Sequence, residues 1–188
     1  YDPIGRIVRV IEEKDGKRSE IIKDIAYLPS GAISSITQSN NIVTTKTYDN
    51  RNQLSSLNIG NLKQLSYTRD NVGNITAIND LLDSSKTKTY QYDALYRLTN
   101  ATGQWGTIQY NYDSVGNRTT ETSSSGVTTY SYASNKLISS TGAKHFNFSY
   151  DNNGNTIAEN NKQYIYNQNQ RLIKAVEGDM VLGEYLYN

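Results

Sequence analysis

Aromatic and polar residues alternate in short stretches that recur along the whole chain. In Tyr90-Gln91-Tyr92 and again in Tyr110-Asn111-Tyr112, two tyrosines flank one polar residue. Side chains alternate between the two faces of a β-strand, so both rings of such a stretch lie on one face. An Ile, Leu or Thr follows a few residues later and resumes the extended chain. The pattern predicts strands of about five to eight residues, with the paired rings on one side.

A turn signal follows the second aromatic residue of most copies. Asp93 follows Tyr92, and Asp113 follows Tyr112. An Asp side chain can accept hydrogen bonds from backbone amides two or three residues later, which initiates a turn. A glycine three residues after the Asp, such as Gly116, can take the positive φ that a type I turn with a bulge requires. Each copy therefore predicts a strand, a turn and a second strand.

The unit recurs about every 21 residues along the sequence, which is typical of tandem repeats. Its marker position, most often Asp, falls at residues 2, 28, 49, 70, 93, 113, 133, 151, 167 and 188. The copies at 27–33 and 130–137 lack the Asp, so the form of their turns is open. Between residues 70 and 167, copies ending in Gly-Asn alternate with copies ending in Arg-Leu or Lys-Leu. A pair of units, about 40 residues long, is therefore an alternative structural period.

A second turn signal, such as Asp15-Gly16 or Gly60-Asn61, lies between successive markers. Two turns per unit predict two short strands per unit, roughly 18 strands in all, joined as an antiparallel meander. Twisted sheets of more than about 10 strands usually curl, split or close. The predicted fold class is all-β, with tandem repeats forming a curled antiparallel β-meander, either a β-ribbon spiral or a partial shell. We treat residues 1–188 as a single array and expect it to be a segment of a larger protein.

The recurring tyrosine, aspartate and glycine positions are predicted to be structural anchors. Tyrosines placed at every unit can pack against the same positions of neighbouring units, as a ladder that stabilises the array. The predicted anchors are Tyr1, Asp2, Tyr48, Asp49, Tyr67, Asp70, Gly73, Tyr90, Tyr92, Asp93, Tyr110, Tyr112, Asp113, Gly116, Tyr130, Tyr132, Tyr150, Asp151, Gly154, Tyr164 and Tyr166.

Composition narrows the possible partners. The chain has 16 Tyr but no Cys, which excludes disulfides and thiolate metal sites. Its net charge of +1 gives no general field to attract nucleic acid, so no nucleic-acid partner is expected. The sequence holds no run of 18 apolar residues, and we expect no insertion into a membrane.

Catalytic chemistry is not indicated by any motif. His145 is the sole histidine, and a serine-histidine-aspartate arrangement would need partners placed in space. The marker aspartates supply about one carboxylate per 20 residues, too few for the six or more oxygens of a calcium site. We therefore predict that the chain is not an enzyme and carries no metal and no cofactor.

Trp105 differs from the other aromatic residues. It is the only tryptophan, and it falls out of register with the repeat, beside the turn signal at 103–106. Exposed aromatic rings can stack on sugars, whereas rings at regular repeat positions are more often structural. Trp105 is thus the residue that we expect to contact a ligand or partner. Binding of glycans through exposed aromatic residues is the alternative function.

The ten copies of this tyrosine-aspartate motif, with Gly-Asn or Arg-Leu following, resemble the YD-repeat (RHS-repeat) family over essentially the whole chain. Its members include bacterial RHS and wall-associated proteins, cocoon-forming components of insecticidal toxin complexes, and animal teneurins. The resemblance implies a β-ribbon spiral that can enclose a hollow space holding a toxic C-terminal domain.

The resemblance also implies a function and a location. We expect a non-enzymatic structural and interaction module, part of the wall of a larger secreted or cell-surface bacterial protein. Its expected partners are flanking repeats or an enclosed effector domain of the parent chain. The end strands of such an array present unpaired edges, so self-association is expected as well.

Overall fold

A computed structural model describes residues 1–187, which form 18 β-strands and one short 3-10 helix, Ser84–Lys86. Asn188, the tenth predicted marker position, lies outside the described residues. The chain divides into two compact units, of which the first spans Tyr1–Trp105 and the second begins at Gly106. The prediction of an all-β fold with about two short strands per repeat is confirmed.

Each unit contains nine strands. Those of the first unit are β1 (Val10–Lys14), β2 (Lys17–Tyr27), β3 (Ile33–Gln38), β4 (Val43–Tyr48), β5 (Leu54–Ile59), β6 (Lys63–Arg69), β7 (Ile75–Asp80), β8 (Lys88–Tyr92) and β9 (Leu98–Gly103). Those of the second unit are β10 (Gly106–Tyr112), β11 (Arg118–Ser123), β12 (Gly126–Ala133), β13 (Lys136–Gly142), β14 (Phe146–Tyr150), β15 (Thr156–Glu159), β16 (Lys162–Tyr166), β17 (Leu172–Glu177) and β18 (Met180–Glu184).

Within each unit every strand pairs antiparallel with the next strand in the sequence. The predicted meander is therefore confirmed. The hairpins alternate between two kinds of turn, as the two turn signals per repeat predict. Between β1 and β2, for example, Asp15 and Gly16 both take positive φ, 52° and 71°. That conformation suits the twist of a two-residue hairpin and explains the Asp-Gly pair.

A β-bulge precedes the last aromatic position of the repeat. In β12 the register against β13 shifts between Ser131 and Tyr132, and in β16 it shifts between Ile165 and Tyr166. Equivalent shifts occur at the ends of β2, β4, β6, β8, β10 and β14. A bulge bends its strand and increases the local right-handed twist. The bulges thus place a local bend and twist at the same position of eight repeats.

The two faces of the tyrosine-bearing strands differ in burial. In β8, β14 and β16 the aromatic positions are half-buried, whereas the residues between them are exposed. Buried apolar residues are few in the described chain: Ile25, Ala101 and Ala175. The accessible surface is 12658 Å², against roughly 9,000 Å² for a compact protein of this mass. Stability therefore depends strongly on hydrogen bonds and half-buried rings on the sheets.

Candidate functional site

The marker aspartates form one recurring turn, best illustrated by Asp151. Its Oδ1 accepts hydrogen bonds from the backbone amides of Asn153 and Asn155, at 3.0 and 2.8 Å. Its Oδ2 accepts a third from the side-chain amide of Asn155 at 2.8 Å. In six other copies the backbone amides two and four residues after the marker donate to its side chain in the same way. Those markers are Asp2, Asp49, Asp70, Asp93, Asp113 and Asn167. Each of these side chains therefore ties one turn closed.

The third residue after the marker has positive φ whether or not it is glycine. Gly154 has φ of 90°, and the equivalent Asn52 and Tyr96 have φ of 60° and 61°. A side chain in this region costs roughly 1–2 kcal/mol relative to glycine. The carboxylate contacts offset that strain, so glycine is not required for the turn.

Two copies with neither Asp nor Asn at the marker position still turn. Around Leu28 the main chain forms the two backbone hydrogen bonds that also close the turns of the other copies. They run from Leu28 N to Ala32 O at 2.8 Å and from Gly31 N to Leu28 O at 2.9 Å. After Ala133 the chain instead makes a two-residue hairpin through Ser134 and Asn135, both at positive φ. The backbone therefore supplies the turn where the marker side chain cannot.

Acid should weaken these turns. Hydrogen bonds from Asn155 lower the pKa of Asp151, and the backbone hydrogen bond from Arg97 does the same most strongly for the pKa of Asp93. A lowered folded-state pKa gives stability that is complete above the unfolded pKa, near 3.9, and is lost as pH falls through the folded value. We expect a thermal midpoint that is flat from about pH 5 to 8 and drops below about pH 4, measured by calorimetry.

Asp151→Asn is the matched control for this acid sensitivity. Asn167 fills the marker position of another copy with the same backbone hydrogen bonds, so asparagine fits the turn. The variant should fold, and its thermal midpoint should fall less below pH 4 than that of the parent chain. A midpoint that stays constant down to pH 2.5 in the parent chain would contradict this role of the carboxylates.

The hydroxyl of the last tyrosine in a repeat recurrently donates a hydrogen bond to the preceding repeat. The Tyr132 hydroxyl donates to the carbonyl oxygen of Arg118 at 2.9 Å, at the start of the strand that follows the previous turn. The equivalent pairs are Tyr27 with Ile7, Tyr48 with Ile33, Tyr92 with Ile75, Tyr150 with Leu137 and Tyr187 with Leu172. Tyr27 and Tyr187 were missing from the predicted anchors, although both precede a marker position. These hydroxyls are thus held against backbone, with bonds of 2.7 to 2.9 Å.

One repeat replaces the tyrosine by arginine and keeps the bond. Arg69 Nη1 donates to the carbonyl oxygen of Leu54 at 2.7 Å, and its guanidinium lies 5.7 Å from the ring of Tyr67. This position therefore requires a long side chain that ends in a hydrogen-bond donor, and the donor need not be a tyrosine hydroxyl.

The other predicted tyrosines have varied surroundings. Tyr110 and Tyr130 lie 4.3 and 5.9 Å from the guanidinium of Arg118, and the Tyr164 hydroxyl donates to Glu159 at 2.8 Å. Tyr1 precedes the first strand and is 85% exposed, so it shares none of this packing. Tyr90, Tyr112 and Tyr166 are half-buried on β8, β10 and β16.

Trp105 lines a cavity of about 150 Å³ in the first unit, which we call the Trp105 pocket. Its other lining residues are Lys63 and Leu65 of β6, Ile78 and Asp80 of β7, Lys86 of the 3-10 helix, Lys88 of β8, and Gln104. The indole is 44% exposed and lies against Gly103, where a Cβ would approach the ring to 2.7 Å. Glycine at 103 therefore lets the indole fold back over the end of β9.

Some of the charged side chains in the Trp105 pocket have an ion-pair partner and others do not. Lys86 forms an ion pair with Asp83 at 3.0 Å, and the buried Asp80 accepts hydrogen bonds from the backbone amides of Leu82 and Asp83. Lys88 Nζ lies 5.6 Å from the centre of the Trp105 ring, within the range of a cation–π contact. Within residues 1–187, neither Lys63 nor Lys88 forms an ion pair. The pocket thus has an aromatic wall and a surplus of positive charge.

A buried carboxylate in the second unit was not anticipated from the sequence. Glu121 of β11 is 5% exposed and accepts hydrogen bonds from Lys144 Nζ, Arg118 Nη1 and the Tyr130 hydroxyl, at 2.5, 3.1 and 3.1 Å. Burial raises the pKa of Glu121, but the bonds from Lys144 and Tyr130 and the nearby positive charges bring it below its ordinary value. The register places Glu121 opposite Tyr110, on the aromatic face. A glutamate on that face is the one sequence signal that could have revealed the cluster.

The described residues give no support to a hydrolytic or metal centre. His145 is exposed, and its ring Nε2 lies 3.4 Å from the side-chain amide of Asn147. Over residues 1–187, histidine and carboxylate side chains nowhere form a group of three that could hold a metal ion. In the same range, no helix is long and apolar enough to cross a membrane.

Solved structures that are similar to this chain include components of Tc toxins. The Photorhabdus luminescens Tc holotoxin pore matches with a TM-score of 0.70 and 19% identity, covering 86% of this chain and 10% of that one. The TcdB2–TccC3 complex matches with 0.62 and 17%, covering 94% and 13%, and the TcdB2–TccC3–Cdc42 complex with 0.62 and 18%, covering 91% and 12%. The chain therefore spans about a tenth of the length of these proteins.

Sequence comparison adds the family. Among curated proteins, none matches the chain by sequence. The family model described as Teneurin YD-shell, however, matches residues 18–188, nearly the whole length. Since that match includes eight of the nine described marker positions, the chain belongs to the teneurin YD-shell family.

Proposed function

We propose that this chain is a non-catalytic wall segment of a larger secreted or cell-surface protein, and that the wall encloses or presents an effector domain. Membership of the YD-shell family and the likeness to much longer Tc toxin chains support the assignment as a segment of a shell. The expected partners are the flanking repeats and the effector domain of the same polypeptide.

The observation that carries the proposal is the hydrogen bond that recurs between the last tyrosine of a repeat and the repeat before it. Six tyrosines donate to backbone carbonyl oxygens, and Arg69 does so in a seventh repeat. A hydroxyl engaged in this way has no proton left to donate to a ligand, and its bond joins consecutive repeats. In repeat arrays, contacts between neighbouring repeats contribute much of the stability.

Tyr132→Phe tests this structural role of the tyrosines. The change removes the hydrogen bond to the Arg118 carbonyl oxygen and leaves the ring in place. We expect the free energy of unfolding to fall by about 1 kcal/mol in urea denaturation, the usual value of one such bond.

Tyr96→Phe is the matched control, because Tyr96 is 60% exposed at a turn. It should leave the free energy of unfolding within about 0.5 kcal/mol of the parent value. Equal losses in the free energy of unfolding of the two variants would contradict the proposed role of the Tyr132 bond between repeats.

The enclosing function is tested in the complete parent polypeptide. The segment that the wall encloses should resist trypsin under native conditions and be digested rapidly once it is expressed alone. Digestion of that segment at the same rate in both settings would rule out an enclosing wall.

A second candidate function, binding of a carbohydrate, is favoured by one observation. Trp105 is exposed, and its ring lines a cavity. If the chain binds a glycan, the Trp105 pocket is where we expect it.

A further inference from the structure

We propose that the Trp105 pocket binds a carboxylated sugar, a single hexuronic acid residue, whose ring stacks on the indole and whose carboxylate is held by Lys63 and Lys88. This inference rests on the second candidate function and adds the chemical class of the sugar to it. The wall function of the chain does not depend on it.

The size of the cavity favours one sugar ring. Its volume is about 150 Å³. Pockets for drug-sized ligands measure about 300–1,000 Å³. An extended peptide would also need a longer groove. A monosaccharide unit at the end or side of a glycan is the ligand that matches this volume.

The walls supply an apolar surface and a polar rim. Trp105, Leu65 and Ile78 present ring and aliphatic carbon to the cavity. The C–H face of a pyranose can pack on such an aromatic surface, while its hydroxyls point to the rim. At the rim, the Gln104 side-chain amide donates to Ser85 Oγ at 3.3 Å, which leaves its amide oxygen to accept from a sugar hydroxyl.

The charges select an acidic sugar. Lys63 and Lys88 come from β6 and β8, with β7 between them, and both line the cavity without forming an ion pair within residues 1–187. Lys86, by contrast, is paired with Asp83. A carboxylate entering between Lys63 and Lys88 would form charge-assisted hydrogen bonds, the stronger class of such bonds. A neutral sugar would leave both lysines without that partner.

The single tryptophan makes the site directly measurable, since all tryptophan emission of the chain comes from Trp105. Glucuronic acid is titrated into the whole chain at pH 7 and constant ionic strength, beside glucose and sodium acetate. We expect a saturable change in emission with glucuronic acid at millimolar concentration. Glucose should bind about tenfold more weakly, and acetate should have no saturable effect.

Substitutions locate the carboxylate. Lys63→Gln and Lys88→Gln should each weaken glucuronic acid binding about tenfold, towards the affinity of the parent chain for glucose. Lys162→Gln is the matched control, because Lys162 stands two residues before its Tyr-x-Tyr pair, as Lys88 does, but lies on β16 in the second unit. It should bind glucuronic acid like the parent chain. Far-ultraviolet circular dichroism checks that each variant is folded.

Several results would overturn the proposal. Equal binding of glucose and glucuronic acid would leave a neutral-sugar site, and equal binding of acetate or of a short glutamate-rich peptide would leave a simple carboxylate site. Absence of any saturable change would remove the ligand site, together with the second candidate function. The effect of Tyr132→Phe on stability would be unaffected by each of these results, so the wall function is judged separately.

Discussion

Gly142→Ala is expected to lower the free energy of unfolding by at least about 4 kcal/mol, a loss reserved for severe local conflicts. Gly142 ends β13 with φ of 92°, a conformation that side chains rarely adopt. A Cβ at this position would lie 2.1 Å from the carbonyl oxygen of Val127. That oxygen also accepts the amide of Ala143 at 2.9 Å, so it cannot move aside without losing a hydrogen bond. Urea denaturation of the folded chain measures the loss.

Gly116→Ala separates the steric conflict from the backbone conformation. Gly116 has φ of 97°, nearly the same value, but beyond its chain neighbours no atom lies within 4 Å of where a Cβ would be. Its substitution should therefore cost only the conformational strain, about 1–2 kcal/mol. Similar losses at both glycines would show that the contact with Val127 is unimportant.

The turns are the part of this fold that sequence predicts best. An Asp side chain bonds to amides two and four residues ahead, so its effect lies within five consecutive residues such as 151–155. Local chemistry of this kind can be recognised without knowing what the turn packs against. The number of strands follows from counting the turns, which explains why 18 strands could be anticipated.

The bulges and the ring contacts depend on the neighbouring strand and could not be anticipated in the same way. The register shift before Tyr132 is set by its pairing with Leu137 on β13. The bond from Tyr132 to the Arg118 carbonyl oxygen spans 14 residues, and nothing in the Tyr-x-Tyr pattern specifies that acceptor. Arg69 makes the equivalent bond to the carbonyl oxygen of Leu54, so the position requires a side chain that reaches this acceptor. A pattern of residue types does not show that requirement.

The sequence alone singles out one residue of the Trp105 pocket, Trp105 itself. Trp105 is conspicuous because it breaks the register, but the two lysines of the pocket without an ion pair come from β6 and β8, more than 15 residues earlier in the chain. Lys63 and Lys88 occupy ordinary strand positions. The charge surplus therefore emerges only after the strands are paired, and the candidate ligand changes from any sugar to an acidic one.

Glu121→Gln is expected to lower the free energy of unfolding by about 2 kcal/mol, because the amide cannot satisfy both cations. Removing one partner of a buried ion pair costs about 3–5 kcal/mol when the remaining charge stays buried. Here the side chains of Lys144 and Arg118 are 46% and 41% exposed, so both can regain water and the loss is smaller. Thermal and urea unfolding of the folded variant give the value.

Glu13→Gln is the matched control, since Glu13 pairs with Arg18 at 2.9 Å but both side chains are largely exposed. Exposed pairs of this kind contribute about 0–1 kcal/mol, so the control should lose less than half as much. The Glu121 variant should also show a weaker decline in stability below about pH 4, because a carboxyl with a lowered pKa loses its contribution on protonation. Equal losses at Glu121 and Glu13 would mean that water reaches the buried carboxylate, and that the aromatic face around Tyr130 is held by its rings rather than by this charge cluster.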